Sequence, residues 1–489
     1  MKQIFNPYLP LDEYIPDGEP RVFGDRVYIY GSHDKEGGEF FCMRDYVTYS
    51  ASVDNLKDWR YEGVIYKASQ DPDYPNHKYM YAPDVIQGND GRYYLFYSLA
   101  DDKNGCSFLM SVAVSNSPTG PFEFHGYVKY PDSTPLQDFL IFDPGVINDN
   151  GRIYLYYGMW NDFDENHKFT REDSLKYQAE MYHKTIEEIE NTEGGVQGPI
   201  CVELCDDMLT VKHPPHRILP ATYKGTDFEE HKFFEASSMR KIGEKYYFIY
   251  STYNQHELAY ATSDYPDKDF KFGGVIISNG DVGYNGRKPE DRLTRTGNNH
   301  GSIANINGEW FIFYHRHTHK SDFSRQACAE KIKILEDGKI PQVEVTSCGL
   351  NGGPLVAKGE YPIIICCNLT NGKMPHGFDA MDKQLPYIVY KDNERYITDV
   401  ENHTLIGFKY FDFKGKTTVG VTLKNGKVPP KGEIQISTEE WGEPLAKITV
   451  DDNTNWHDLF TTVNINGTKP LYLTYYGKGY IDIKTLILK

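Results

Sequence analysis

The feature that most restricts what this chain can fold into is a recurring unit, a polar turn followed by a tyrosine-rich apolar strand. It reads GDRVYIYGS from Gly24, DGRYYLFYS from Asp90, NGRIYLYYG from Asn150, GEKYYFIYS from Gly243 and NGEWFIFYH from Asn307. Anchored on the residues that open the strands, Arg26, Arg92, Arg152, Lys245 and Glu309, the steps are 66, 60, 93 and 64 residues. A four-stranded propeller blade takes about 40 to 50 residues, so each step holds one blade with long loops. Radial repetition leaves only short, protected sheet edges. Five copies therefore predict an all-β, five-bladed β-propeller over residues 1–345. A large β-sandwich or two stacked sheets is the alternative. The longest step contains NDFDENHKFTREDSLKYQAEMYHK from Asn161, a polar insertion expected to be partly helical.

The blade pattern stops at TSCGLNGGPL, Thr346 to Leu355, where small residues mark a linker. Residues 356–489 hold short separate strands such as TVGVTL, EIQIST and YIDIKTLIL, which suit a β-sandwich of the jelly-roll kind. A net charge of −18 disfavours nucleic acid or an anionic membrane as partner, because both demand a cationic face. There is no P-loop or glycine-rich dinucleotide fingerprint, which argues against nucleotide chemistry and an organic cofactor. MKQIFNPYLP lacks a signal-like apolar run and no later run approaches a membrane span, so a cytoplasmic location is expected unless a leader was trimmed. The eight cysteines show no CxxC or zinc spacing and read as scattered reduced thiols. Oligomeric state has no signal in the sequence.

The residues just upstream of each anchor would face a central channel. Asp17, in IPDGEP, lies nine before Arg26, whereas Glu19 lies seven before it. Asp84 in YAPDV is eight before Arg92, and Asp143 in IFDPGV is nine before Arg152. Glu235 in FFEASS is ten before Lys245, and His300 in NNHGSI is nine before Glu309. Converging carboxylates destabilise one another and raise each other's pKa. A functional site is therefore a better reading than a structural one, and the register favours Asp17 over Glu19.

With these motifs in this order, residues 5–345 resemble glycoside hydrolase family 43. NPYLP followed by IPDGEPRVFGDRVYIYGS matches the family's opening, FDP and FFEASS match its two acidic motifs, and NHGSI with NGEWFIFYH matches its histidine motif. The resemblance implies Asp17 as general base and Glu235 as general acid. It makes Asp143 the carboxylate that tunes and orients the acid, and His300 a residue near the channel centre often associated with calcium. Such a pair hydrolyses a glycosidic bond with inversion, one carboxylate activating water and the other protonating the leaving oxygen. Gly18 departs from the family's proline, and Glu19-Pro20 offers a competing match.

The remaining candidates have two readings each. Asp84 either binds substrate or turns the chain into a strand. Arg325, in SRQACAEKIKI, either stands near the sugar, as the resemblance implies, or makes a surface salt bridge. His315, His317 and His319 alternate on one strand face, as metal ligands or as a hydrated strand end. A calcium ion at the propeller centre would be held through water beside His300. The last third resembles carbohydrate-binding module family 6. Trp441 and Trp456 are then sugar-stacking platforms or packing residues, and the region either binds sugar or braces the propeller. The leading function is an exo-acting pentosidase releasing L-arabinofuranose or D-xylose from oligosaccharides. The insertion from Asn161 favours this by walling off a groove. The alternatives are an endo-acting arabinanase or xylanase-type hydrolase, and a carbohydrate-binding propeller without catalysis.

Overall fold

The computed structural model describes residues 2–103, 105–161, 170–182, 184–191 and 195–489. The described chain is all-β apart from short 3-10 turns and two α-helices, α1 (Arg171–Tyr182) and α2 (Ile186–Asn191). Both helices lie in or just after the polar insertion, whose residues 162–169 are outside the described set. Among the described residues, no helix is long and apolar enough to cross a membrane.

Among the described residues, five antiparallel sheets, each built on one copy of the repeat, follow in chain order, with a small three-stranded sheet of Tyr79–Met80, Leu99–Asp101 and Gly105–Cys106 set apart from them. The first four have four strands each and begin at Glu19–Phe23, Asp84–Gln87, Gly145–Asp149 and Phe233–Ile242. The fifth has three strands and begins at Ile303–Ile306. In every sheet the repeat motif is the hairpin into the second strand. In four of them the turn is two residues long, as the pairs Phe23–Arg26, Asp149–Arg152, Ile242–Lys245 and Ile306–Glu309 show. Asn150–Gly151 and Asn307–Gly308 hold positive φ at both positions, the geometry that matches strand twist and that this dipeptide tolerates best.

Tyrosine abundance has a local cause. Tyr30 and Tyr156 each stand four residues after their anchor, buried between sheets. Their hydroxyls donate to Pro118 O at 2.7 Å and Pro266 O at 2.8 Å, in outer turns of the following sheet. Tyrosine gives apolar ring area to the sheet interface and a hydroxyl that reaches an otherwise unpaired carbonyl.

The first strands meet in a ring: first with second, second with third, third with fourth, and fifth with first. Arg240 closes the fourth to the fifth by donating to Ile303 O at 2.9 Å. The missing fourth strand of the last sheet is replaced by the chain's start. Tyr8 N–H donates to Ala327 O at 3.2 Å, while the Asn6 amide exchanges two 3.0 Å bonds with the backbone of Ala329.

Residues from Leu355 onward build one ten-stranded sheet around its own apolar core. Its two longest strands, Thr404–Asn425 and His457–Lys478, pair with each other along most of their length. The expected linker ends inside this sheet, since Leu355–Val356 pairs in parallel with Phe411–Asp412. Buried Lys409 ties the sheet to the preceding region through Asp281 at 2.8 Å and Glu344 at 3.2 Å. Arg395 reaches Glu36 at 2.6 Å, and Arg287 reaches Glu440 at 2.8 Å.

Candidate active site

Two rungs of side chains run around the ring. The inner rung sits where each first strand pairs with the residue four past its anchor. It comprises Glu19 opposite Tyr30, Asp84 opposite Phe96, Gly145 opposite Tyr156, Ser238 opposite Ile249, and Ser302, whose carbonyl accepts from Phe313 N–H. Two residues earlier in the chain, the rung comprises Asp17, Ala82, Asp143 and His300, with Glu235 in the fourth sheet. Glu235 is displaced by one because that strand shifts register between Phe233 and Ser238.

Asp17, Ala82, Asp143, Glu235 and His300 all line one cavity of about 400 Å³. Phe41, Tyr81, Phe142, Met159 and Phe234 give it apolar walls, the kind of lining that lets a few polar groups fix orientation. Asp17 and Asp143 both hold positive φ, at 58° and 46°, a conformation costly for residues other than glycine and concentrated at functional sites. The Gly18 departure does not displace Asp17. Gly18 pairs in parallel with Gly301, next to His300, and a side chain at Gly301 would run into Phe313 O at 1.9 Å.

Burial alone would raise the pKa of Asp17, but the charge of the Arg325 guanidinium overcomes it and holds the carboxyl below the ordinary range. Arg325 Nη1 donates to Asp17 Oδ1 at 3.0 Å. The guanidinium is itself gripped by Asp34, whose two oxygens accept from Nε and Nη2 at 2.9 Å each. Arg325 is fully buried, so the surface salt-bridge reading is excluded. His315 Nε2 faces Asn298 O at 2.8 Å and must donate there, while Nδ1 accepts from Asp17 N–H at 3.3 Å.

Glu235 is driven the other way. Burial raises its pKa well above the usual value, and the charge of Asp143 raises it further. Asp143 accepts from Ala236 N–H at 3.1 Å and stands 3.4 Å from His300 Nδ1. Burial works against a charged His300, yet Asp143, Asp17 and Glu19 together push its pKa up to about 9.

Asp84 does not line the cavity. The second sheet has a longer hairpin, in which Gln87 pairs with Tyr93, so a count of eight from Arg92 lands on the inner rung rather than the outer one. Both its oxygens are taken: Arg21 Nε donates to Oδ1 at 2.9 Å and Val146 N–H donates to Oδ2 at 2.8 Å. Glu19 is likewise held by Arg240 at 2.7 Å. Arg21 also donates to Val146 O, and Arg240 to Pro20 O and Ile303 O, so two arginines lace all five sheets together.

This lacing bears on calcium. Calcium takes six to eight oxygens, and among the described residues no group of three or more His, Cys, Asp or Glu surrounds one point. His300 Nε2 lies 4.0 Å from Glu19 Oε1, and neither atom has a hydrogen-bond partner. One imidazole and one carboxylate oxygen, beside two guanidinium groups, are too few direct protein ligands for a calcium cage. His315 and His317 turn out to be buried, their Nε2 atoms bonded to Asn298 O and Asn298 Oδ1, which fits neither a hydrated strand end nor a metal set. In the last third, Trp441 stacks on His403 at 4.1 Å, and Lys424 and Lys484 lie over the Trp456 ring at 4.6 and 4.9 Å. A protein group thus lies against each of these rings, and both rings stay half-buried.

Sequence reasoning missed Asp34, the apolar walls, His256, His376 and Gly377. Tyr81, Phe142 and Phe234 stand inside the quoted YAPDV, IFDPGV and FFEASS motifs, whereas the others come from segments without periodicity and no spacing signal marks them.

The family model described as glycosyl hydrolases family 43 matches residues 11–340. A xylosidase/arabinosidase of Thermoclostridium stercorarium is 45% identical over 100% of this chain and 99% of its own. Xylosidase/arabinosidase 43A of Humicola insolens is 32% identical over 67% of this chain and 96% of its own. A crystal structure described as the GH43_1 enzyme from Xanthomonas citri complexed with xylose shares the fold, with a TM-score of 0.51 at 23% identity over 70% of this chain and 93% of that one. The chain therefore belongs to glycosyl hydrolase family 43, and it is a glycoside hydrolase of propeller type.

Proposed function

We propose that the protein is an inverting, exo-acting pentosidase that releases D-xylose or L-arabinofuranose from plant-polysaccharide oligosaccharides. One observation carries this reading. A single cavity holds two carboxyl groups in opposite protonation states, Asp17 kept ionised by Arg325 and Glu235 kept protonated by burial and Asp143. Asp17 takes a proton from the water that attacks the anomeric carbon, and Glu235 gives its proton to the leaving oxygen. The C1–O bond breaks as the new one forms, without a covalent sugar–enzyme intermediate. Asp143 keeps Glu235 an acid, and Arg325 is a positioning residue that acts through Asp17. Calcium has no step in this scheme. The names of the two xylosidase/arabinosidase relatives support the choice of sugars.

The five sheets are read as five propeller blades over residues 1–345. Residues 356–489 are a β-sandwich that braces them, joined through residues 346–355. The buried Lys409 pairs, and the protein side chains that pack on Trp441 and Trp456, support a brace over a sugar-binding module.

The test is proton NMR of the protein with an aryl β-D-xyloside and an aryl α-L-arabinofuranoside. Release of a pentose with inverted anomeric configuration is expected. Retained configuration would reject the single displacement, and no turnover of either substrate by folded protein would reject the exo-pentosidase reading.

A further inference from the structure

Among the described residues, four carboxyl groups line the cavity, and the scheme above uses three of them. Asp322 is the fourth. It stands in the turn between the last two strands of the fifth sheet, Glu309–His317 and Arg325–Ile332. Arg295 fixes its position: the guanidinium donates to Ser321 O at 2.8 Å and to His319 O at 3.1 Å, and it pairs with Asp322 Oδ1. One buried side chain thus clamps the whole turn.

The second oxygen is held differently. Among the described residues Asp322 Oδ2 accepts no hydrogen bond, and it is not sealed off from the cavity that the residue lines. Asp17 has the same form, with Oδ1 held by an arginine and Oδ2 left open. The structural carboxylates do not. Both oxygens of Asp34 and of Asp84 are bonded, and the unbonded Oε1 of Glu19 is sealed inside the ring. A carboxylate paired with a guanidinium accepts and does not donate. In a sugar pocket, its open oxygen is matched by a hydroxyl.

Asp322 shares a wall with the proposed base. Its Oδ1 lies 3.8 Å from His317 Nε2, which is 3.0 Å from Asn298 Oδ1. Asn298 O is bonded to His315, whose other ring nitrogen takes the Asp17 N–H. Phe323, the next residue, meets the cavity residue Phe41 edge-on at 4.7 Å, and Arg325 lies over the same Phe41 ring. The sugar attacked by the water on Asp17 must lie along this wall.

We propose that Asp322 sets specificity for the sugar that is released, its Oδ2 accepting from one hydroxyl of the pentose held before Asp17. This rests on the exo-pentosidase reading. The test uses the full chain as wild type, Asp322→Asn and Asp322→Glu, with 4-nitrophenyl β-D-xyloside or α-L-arabinofuranoside, whichever the wild type turns over. Each pentose carries three free hydroxyls, and the three monodeoxy analogues remove them singly. Asp322→Asn keeps an acceptor for Arg295 without the charge, whereas Asp322→Glu keeps the charge and moves the open oxygen.

In the wild type, deleting the contacted hydroxyl should lower kcat/KM about ten- to a hundredfold, the worth of a hydrogen bond to a charged group. In Asp322→Asn the same deletion should cost roughly threefold, as for a neutral bond, while the other two deletions cost what they cost the wild type. Asp322→Glu should shrink the same single cost, and it carries the test if the loss of charge beside Arg295 prevents Asp322→Asn from folding. A residue that only braces the turn would lower kcat/KM equally on the parent and on every analogue. Identical deletion costs in the variants and the wild type would therefore overturn the proposal alone. A wild type inactive on both parent pentosides would sink the pentosidase reading and this proposal with it.

Discussion

Asp17 and Glu19 are two residues apart, both buried, and both face an arginine, yet they stand in different worlds. Asp17 borders a cavity with a second carboxyl group across it, and its arginine is anchored from behind by Asp34. Glu19 borders the packed ring, where Arg240 fills the space and carries on to the carbonyls of Pro20 and Ile303. The outer rung keeps its charges unequal, as acid–base chemistry requires. The inner rung pairs carboxylates with arginines, as Asp84 with Arg21 and Glu19 with Arg240. Burial and charge are common to both rungs. Open space and an unequal set of neighbours are what mark Asp17, rather than Glu19, as the proposed base.

The sharpest way to break this comparison is to remove one carboxylate from each rung. Asp17→Asn should cut kcat by about 10²- to 10⁴-fold, the usual worth of a general base, in a protein that still folds. Glu19→Ala should do the reverse, costing about 3–5 kcal/mol of stability because Arg240 is left buried without its counter-charge. Its kcat, measured on the folded fraction, should stay within a few-fold of wild type. Steady-state kinetics and denaturant unfolding on both variants check this; a large kcat loss in Glu19→Ala with Asp17→Asn still active would exchange the two roles.

Two milder variants sharpen the outer rung. Arg325→Lys loses the fork that Asp34 grips, and burial then pushes the Asp17 pKa upward. The base must be ionised, so the acid-side decline of kcat/KM should move to higher pH. Asp143→Asn removes the charge that, after burial, raises the Glu235 pKa. The acid must be protonated, so the alkaline-side decline should move to lower pH. Opposite movements of the two limbs in pH–rate profiles are the expected signature, and movement of the wrong limb in either variant would reject its assigned role.

Much of this was legible in the sequence because the repeat is a hairpin with a fixed turn. A two-residue turn makes counting back from the anchor equivalent to counting along the pleat, which is why Asp17, Asp143 and His300 share an offset of nine. The count slipped at Asp84 because one hairpin is longer, and at Glu235 because its strand shifts register. A single inserted residue changes rung without leaving a mark on composition. Asp34, His256 and His376 were illegible for a different reason. His256 and His376 reach the cavity, and Asp34 reaches Arg325 behind it, through packing between segments far apart in the chain, and tertiary placement of that kind has no period. Trp441 and Trp456 keep two readings in the sequence, because an aromatic in a turn looks alike whether sugar or a protein side chain packs on it.

The smallest expected effect concerns the inner rung. A ring of converging carboxylates invites a cation, and a bound ion would stabilise the folded state by mass action. Here Arg21 and Arg240 already supply two positive charges at the axis. They also bond to carbonyls of the third and fifth sheets, a bridging task that an ion could otherwise perform. Dialysis against a chelator should therefore leave kcat/KM and Tm unchanged, and added calcium should restore nothing. Replacing Arg240 by Met empties that position and leaves Glu19 uncompensated, so Arg240→Met should lower Tm and, in the same thermal melts, gain part of it back when calcium is added. A wild-type Tm that falls on chelation would show that the inner rung holds an ion despite its arginines. That result would place the two rungs closer in chemistry than their hydrogen bonds indicate.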